Sequence, residues 1–113
     1  MTSTVKVVQP SGILDSTQSG QFRQEIIDLV QAQTEVIIID FKDVTFMDSS
    51  GLGALVLSLK AVRAAGGQMF ICSINEQIKM LFELTSMDQV FEIFPNREEL
   101  EKEKLGLDLS NKT

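Results

Sequence analysis

The chain has 113 residues, of which 43% are hydrophobic and 23% are charged, with a net charge of −6 and no histidine. This length and composition predict one globular domain with one core, and they exclude the disordered and fibrous classes. The negative charge, without any run of Lys and Arg, disfavours direct binding to nucleic acid or to anionic membranes, so we expect protein partners.

The first predicted elements are a strand and a helix. Val5–Val8 predict a short strand that ends before Pro10, which has no amide hydrogen for a ladder, and Gly12 is expected in the following turn. Residues 15–17 are all good N-cap types. They precede apolar residues at helical spacing, which predict an amphipathic helix: Phe22, Ile26, Leu29 and Val30.

The middle of the chain predicts the centre of a sheet. Val36–Ile39 is a continuous β-branched run, typical of a strand that is covered on both faces. Residues 40–49 are expected to form a loop before a second helix, whose apolar positions run from Leu52 to Val62. Gly66 and Gly67 should end that helix, and another strand is predicted at 69–72.

The last third of the chain predicts a helix, a strand and a terminal helix. Apolar spacing places the third helix around Ile78–Phe82, and Val90–Phe94 predicts the last strand. Asn96 and Glu99 resemble a capping box that opens a helix rich in Glu and Lys.

This order of strands and helices predicts the α/β class. We expect one domain over residues 1–106, with a mainly parallel (mixed) sheet of about four strands and about four α-helices, and a flexible tail at 107–113. In such sheets sites gather in loops beyond the carboxyl ends of strands, which directs attention to the loop that follows Phe41.

The cellular compartment is predicted from three features. Cys72 is the single cysteine, so no disulfide forms within the chain, and its apolar surroundings predict a buried, unreactive thiol. Met1–Thr4 lack the basic region and apolar core of a secretion signal. The longest apolar stretches fall far below the ~20 residues of a membrane helix, so we expect a cytoplasmic protein.

The segment Val44–Gly53 places two hydroxyls and a carboxylate at the start of an apolar helix. A serine nucleophile here would lack its usual base. The chain has no histidine, no lysine three residues after Ser49 or Ser50, and no Gly-x-Ser-x-Gly elbow. A serine hydrolase is therefore not expected. We predict that the chain is not an enzyme and has no catalytic residue.

Nucleotide and metal sites have weak support in the same segment. Gly51 and Gly53 are followed by Val56 where a dinucleotide-binding motif has its third glycine, and no phosphate-loop motif is present. A metal-dependent phosphoacceptor aspartate needs several converging carboxylates, and the nearby aspartates are at positions 40, 43 and 48. We expect no cofactor and no metal, and both alternatives stay open on the residues alone.

The chain resembles the anti-sigma factor antagonists, whose domain is called STAS after sulphate transporters and these antagonists. Its most specific block is Phe46–Gly53, which is almost identical to the phosphorylation loop of that family. Further matches lie at Gly12–Asp15, Gly66–Met69 and Ile78–Phe82, and the resemblance extends over Val5–Lys104. It implies a single STAS domain.

The resemblance also implies a function. In that family the serine directly before the glycine, here Ser50, is phosphorylated by a partner that is both a serine kinase and an anti-sigma factor. The unphosphorylated antagonist binds this partner and frees the sigma factor, the phosphorylated form dissociates, and a serine phosphatase restores the first state. Asp48 would assist recognition.

The same resemblance predicts the partner-binding residues. The helix from Gly51 to Val62 is expected to form part of the docking face. The residues expected to contact the partner are Asp15, Asp48, Ser49, Gly51, Leu52 and Gly53.

Two other interpretations of these residues stay open. Ser49 and Ser50 are good N-cap types, so they could serve only to cap the helix, as Asp15 could cap the first helix. The chain would then be a STAS scaffold or adaptor module, in a stress-signalling or lipid-transport complex, without a phosphorylation switch. In that case phosphorylation of Ser50 should be absent.

One feature departs from the family pattern. Known members carry an additional strand before the one predicted at Val5, and here only three residues after the initiator Met precede it. We expect a shortened sheet whose unpaired edge could recruit another chain, which leaves the oligomeric state open.

Overall fold

The computed structural model describes residues 4–106, and the predicted tail at 107–113 lies outside them. The predicted α/β class is confirmed. A 3₁₀ turn at Met87–Gln89 accompanies ten elements, which are β1 Val5–Val8, β2 Ser11–Leu14, α1 Ser16–Gln31, β3 Val36–Asp40, β4 Asp43–Met47, α2 Ser49–Ala64, β5 Gln68–Cys72, α3 Glu76–Leu84, β6 Ile93–Phe94 and α4 Arg97–Lys104.

The main sheet has four strands in the order β1-β3-β5-β6, and each described pair is parallel. All five residues of β3 are buried, as its β-branched run predicts, because helices cover both of its faces. Among the described residues β1 and β6 are the edges of this sheet. The main sheet therefore has the predicted four strands, and residues 4–106 contain the predicted four α-helices.

Alternate residues of the strands separate the core into two clusters. Ile37 and Ile39 point to one face, where they pack with buried residues of α1, α2 and α3. Val36 and Ile38 point to the other face, where the buried helix residue is Leu100 of α4. Three helices thus cover one face, and one short helix covers the other.

The prediction of a loop at residues 40–49 is wrong. Strand β4 occupies most of this segment and pairs with β2 in a second parallel sheet. Its register shifts between Gly12 and Ile13, and Gly12 has a φ of 76°, which a glycine adopts without strain. This irregularity removes the strict alternation by which a short strand is found in a sequence. Gly12 therefore lies inside a strand, where a turn was expected.

The last strand is also shorter than predicted. Only Ile93–Phe94 pair with β5, because the preceding residues form the 3₁₀ turn. The amides of Val90 and Phe91 both donate to the carbonyl of Met87, at 3.0 and 3.1 Å. Those amides are consequently unavailable to a neighbouring strand.

Helix α4 is fixed to the carboxyl edge of the main sheet by polar contacts. Its N-cap Asn96 accepts from the amide of Glu99 at 2.8 Å, which is one half of the predicted capping box. Arg97 donates from Nε to the buried carboxylate of Asp40 at 3.1 Å and from its guanidinium to Oε1 of Gln9 at 2.7 Å. These contacts connect α4 with β1 and β3.

Candidate functional site

The two-stranded sheet places two helix starts side by side. Leu14 and Met47 are register partners at the ends of β2 and β4, and both side chains are buried. Asp15 and Asp48 follow them directly and are the N-caps of α1 and α2. Because the strands are parallel, both helices begin at the carboxyl end of the small sheet. The two helices also pack against each other.

The N-cap of α2 is Asp48. Its carboxylate accepts hydrogen bonds from the amides of Ser50 at 2.9 Å and Gly51 at 3.1 Å. Asp48 has an extended backbone, with a φ of −107°, whereas Ser49 and Ser50 already lie inside the helix. The interpretation that the serines cap this helix is therefore wrong, because the carboxylate before them occupies the capping position.

The two serine hydroxyls remain available. Ser49 is exposed and Ser50 is half-buried. Among the hydrogen bonds between residues 4–106, neither hydroxyl takes part as donor or acceptor. A half-buried hydroxyl without an internal partner can accept a phosphoryl group from outside.

Gly51 allows the start of α2 to approach β2. A Cβ atom at this position would overlap the carbonyl oxygen of Leu14 and lie 2.7 Å from Cγ of Met47. Leu52 is buried in the core, whereas Gly53 faces open space. Of the predicted partner-binding residues on α2, Gly53 and Ser49 are therefore the exposed ones, and the predicted contacts of Gly51 and Leu52 would have to involve their backbone.

Two residues that sequence reasoning missed hold β4 from α3. Gln77 accepts from the amide of Met47 at 2.9 Å and donates to its carbonyl at 2.7 Å. Asn75, the N-cap of α3, donates to the carbonyls of Val44 and Thr45 at 3.3 and 3.1 Å. These side chains satisfy the edge of β4 that faces away from β2. The capping pattern could have identified Asn75, but no pattern marks Gln77.

The acidic groups of the site have separate roles. The hydroxyl of Thr17 donates to Asp15 at 2.6 Å and its amide donates at 3.0 Å, and these two bonds lower the pKa of the Asp15 carboxyl. The prediction of an N-cap at the start of α1 is confirmed. Asp40 is paired with Arg97, and Asp43 accepts from Gln9 at 2.9 Å.

The aspartates at positions 40, 43 and 48 thus contact different groups, and they do not converge on one point as a metal-dependent phosphoacceptor site requires. The part of the chain that the structure describes contains no cluster of three His, Cys, Asp or Glu residues that could hold a metal ion. No helix within 4–106 combines the length and the hydropathy that crossing a bilayer requires.

Residues 2–100 match the model of the STAS domain. The chain is 32% identical over 93 residues to an anti-sigma F factor antagonist of Paenibacillus polymyxa, which covers 81% of this chain and 80% of that protein. The structure of the anti-sigma factor antagonist SpoIIAA in its unphosphorylated form has the same fold, with a TM-score of 0.79, 22% identity and coverage of 95% of this chain and 93% of the other.

The fold also recurs as part of a larger protein. The murine solute carrier 26 family member A9, an anion transporter, matches with a TM-score of 0.78 and 23% identity. The match covers 94% of this chain and 18% of the transporter. At this identity the likeness concerns the fold alone.

Proposed function

The chain belongs to the STAS domain family, and from this we propose that it acts as an anti-sigma factor antagonist. In its unphosphorylated form it binds an anti-sigma factor that is also a serine kinase, so that the sigma factor is released. Phosphorylation of Ser50 ends this binding, and a serine phosphatase restores it. The protein works in the cytoplasm through protein contacts and catalyses no reaction itself.

The observation that carries this proposal is the state of Ser50. Its hydroxyl is half-buried at the first turn of α2 and makes no hydrogen bond to another residue of 4–106. Asp48 performs the capping that a serine could have performed. The serine therefore has no structural task that accounts for it, and a phosphoryl acceptor is the role that this geometry supports best.

The physical effect of a phosphate here follows from the same contacts. Two amides of the first turn of α2, those of Ser50 and Gly51, already bond to the Asp48 carboxylate. These two amides are therefore not free to bond a phosphate on Ser50. A phosphate adds about 1.5 to 2 negative charges next to that carboxylate, so it must turn outward, where a bound partner would have to desolvate it.

The test uses the anti-sigma F factor of Paenibacillus polymyxa, the protein on which the 32% identical relative is named to act. The unsubstituted chain should bind it in calorimetry and gain one phosphate in the presence of ATP, as measured by intact-mass spectrometry. Ser50→Ala should gain none. Ser50→Asp, which adds a charge, should bind at least about tenfold more weakly, a difference of about 1.4 kcal/mol.

The matched control is Ser49→Ala, which removes the neighbouring hydroxyl from the same turn. It should be phosphorylated like the unsubstituted chain, and circular dichroism should give the same fold for all variants. A phosphate mapped to Ser49, or undiminished binding of a folded Ser50→Asp variant, would contradict the switch. The scaffold or adaptor alternative would then be favoured, and the presence of this fold within an anion transporter is the observation behind it.

A further inference from the structure

The outer face of the two-stranded sheet carries an apolar pair near the end of the sheet where α1 and α2 begin. Ile13 of β2 and Phe46 of β4 are register partners, and their side chains are 52% and 44% exposed. The residues that follow them, Leu14 and Met47, are buried on the opposite face. Successive side chains of a strand point to opposite faces, so the pleat fixes both large side chains outward. Single exposed apolar residues are common, but two that meet across strands form one surface.

This pair is continuous with the start of α2. The carbonyl of Leu14, the residue after Ile13, occupies the space beside Gly51, and it accepts from the amide of Asp48 at 3.4 Å. Phe46 is two residues before Asp48 in the same strand. The pair therefore lies two residues before each of the two N-caps, at the end of the small sheet where α1 and α2 begin.

The charges around the pair are mostly negative. Asp15 follows β2, Asp48 follows β4, and Asp43 opens β4 opposite Ser11. The exposed Lys42 precedes Asp43 in the chain. Hydrogen bonds from Thr17 lower the pKa of Asp15 below the ordinary carboxyl value. A complementary surface needs Lys or Arg around an apolar centre.

We propose that Ile13 and Phe46 form an apolar anchor for the anti-sigma factor kinase, which would present an apolar pocket with Lys or Arg facing Asp15 and Asp43. This inference rests on the proposed function and names the surface by which the partner recognises the chain. A kinase that acts on Ser50 would have to bring a polyanionic nucleotide to it, so a new phosphate on that serine would face charges of its own sign. The apolar anchor holds the complex before transfer, and this repulsion opposes it afterwards.

The size of the pair fits the centre of a larger contact. The two half-exposed side chains offer an apolar area on the order of 200 Å². A stable interface buries about 800 Å² on each partner, with a few residues at its centre supplying most of the affinity. The pair alone is therefore too small to be a whole interface, but it has the size of such a centre. The acidic residues around it would repel the same face of a second copy of the chain, whose net charge is −6.

The test replaces each side chain by threonine, which suits a strand but removes the apolar surface. Ile13→Thr and Phe46→Thr should each raise the Kd for the Paenibacillus polymyxa anti-sigma F factor about tenfold. They should also raise the KM of Ser50 phosphorylation and leave kcat unchanged, because the anchor does not touch the transferred group. Asp43→Asn should slow association and weaken its dependence on salt.

The matched control is Val7→Thr. Val7 is an apolar strand residue that is 38% exposed, and it lies on the main sheet away from the β2–β4 pair. The Val7→Thr variant should bind the anti-sigma factor and be phosphorylated like the unsubstituted chain. Phe46→Leu keeps an apolar side chain and should retain most of the affinity, and thermal unfolding should give similar midpoints for all variants.

Four results would overturn the anchor. The first is unchanged Kd and KM in both threonine variants, and the second is a loss that Val7→Thr shares equally. The third is a difference in oligomeric state between the unsubstituted chain and the threonine variants, measured by sedimentation without the partner. That result would assign the pair to self-association. The fourth is that the unsubstituted chain neither binds the anti-sigma factor nor gains a phosphate, in which case the proposed function fails and this inference fails with it.

Discussion

At the scale of single residues, Gly51 and Gly53 have opposite surroundings although they are two positions apart. A Cβ at Gly51 would overlap the carbonyl of Leu14, while nothing lies within 4 Å of the corresponding position at Gly53. Small residues around a serine suggest accessibility for a partner, and the sequence gives both glycines the same interpretation. The structure separates close packing at Gly51 from open space at Gly53, because only the fold brings β2 to the first turn of α2.

We predict that Gly51→Ala destabilises the protein by about 1 to 3 kcal/mol, the usual effect of forcing a methyl group into a filled space. Gly53→Ala, the matched control, should stabilise it by up to about 1 kcal/mol, because alanine loses less entropy than glycine in a helix. Urea denaturation followed by circular dichroism measures both. Equal effects of the two substitutions would contradict the close approach of β2 to α2.

At the scale of elements, α3 takes the place of a missing neighbouring strand for β4. The side-chain amide of Gln77 bonds both the amide and the carbonyl of Met47, as an adjacent strand would. Met47 directly precedes the N-cap Asp48, so this contact fixes where α2 begins and where Ser50 stands. Gln77 is therefore a positioning residue for the first turn of α2, which carries Ser50, the proposed phosphoacceptor.

We predict that Gln77→Ala increases the hydrogen exchange rate of the Met47 amide, and to a smaller extent that of the Ser50 amide. A buried amide and carbonyl that lose their partners cost about 1 to 3 kcal/mol, which lowers the free energy of local opening by a similar amount. Hydrogen exchange measured by NMR resolves the two amides. The rate of Ser50 phosphorylation should fall in parallel.

Gln24→Ala provides the comparison, because Gln24 bonds Asp28 on the exposed surface of α1. It should leave exchange at Met47 and Ser50 unchanged. If Gln77→Ala also leaves both amides protected, the contact with β4 does not position the loop.

The elements differ in how well the sequence predicts them. The β-branched run of β3 and the helical spacing of α1 and α2 are local signals, and the predicted elements are present. Strands β2 and β4 were missed because a register shift at Gly12 breaks their alternation. The cap of α2 was misassigned because Asp48 and the two serines are all good N-cap types, and the sequence does not state which one has an extended backbone. Gln77 acts on a strand 30 residues away, so no local pattern reveals it.

At the scale of the whole molecule, the main sheet separates two cores of unequal size. Cys72 belongs to the smaller one, with Val36, Ile38, Phe70 and Leu100, and it is fully buried. Burial raises the pKa of its thiol from 9.0 to about 11. The thiolate is the reactive form, so both access and ionisation protect this cysteine in the folded protein.

We predict that Cys72 does not react with a thiol reagent at neutral pH until the protein opens, and that it reacts fully in denaturant. Arg97→Ala should accelerate labelling of the native protein, because it removes the bond from α4 to the buried Asp40. The absorbance of the released chromophore measures the rate. Rapid labelling of the unsubstituted native chain would contradict burial behind α4.

The raised pKa also predicts a pH dependence of stability. The Cys72 thiol has a higher pKa in the folded state than in the unfolded state. Its contribution to stability is therefore complete below pH 9.0 and is lost as the pH rises through about 11. Lysines titrate in the same range, so the comparison is with Cys72→Val, which fills the space without a thiol. The difference in unfolding free energy between the two proteins should change between pH 9.0 and 11. A constant difference would contradict the pKa shift.

The unequal cover of the sheet determines how this protein would fail under stress. In the described part of the chain, the buried helix residue over Val36, Ile38 and Phe70 is Leu100, on a helix of eight residues. Short elements with few buried contacts open before the global fold does. Opening of α4 would expose the apolar side chains of Val36, Ile38 and Phe70 to other molecules, together with the carboxylate of Asp40 that loses Arg97. Exposed apolar strand surfaces favour aggregation. Heat or crowding would therefore cause self-assembly through the face opposite to α2, while the region around Ser50 is still folded.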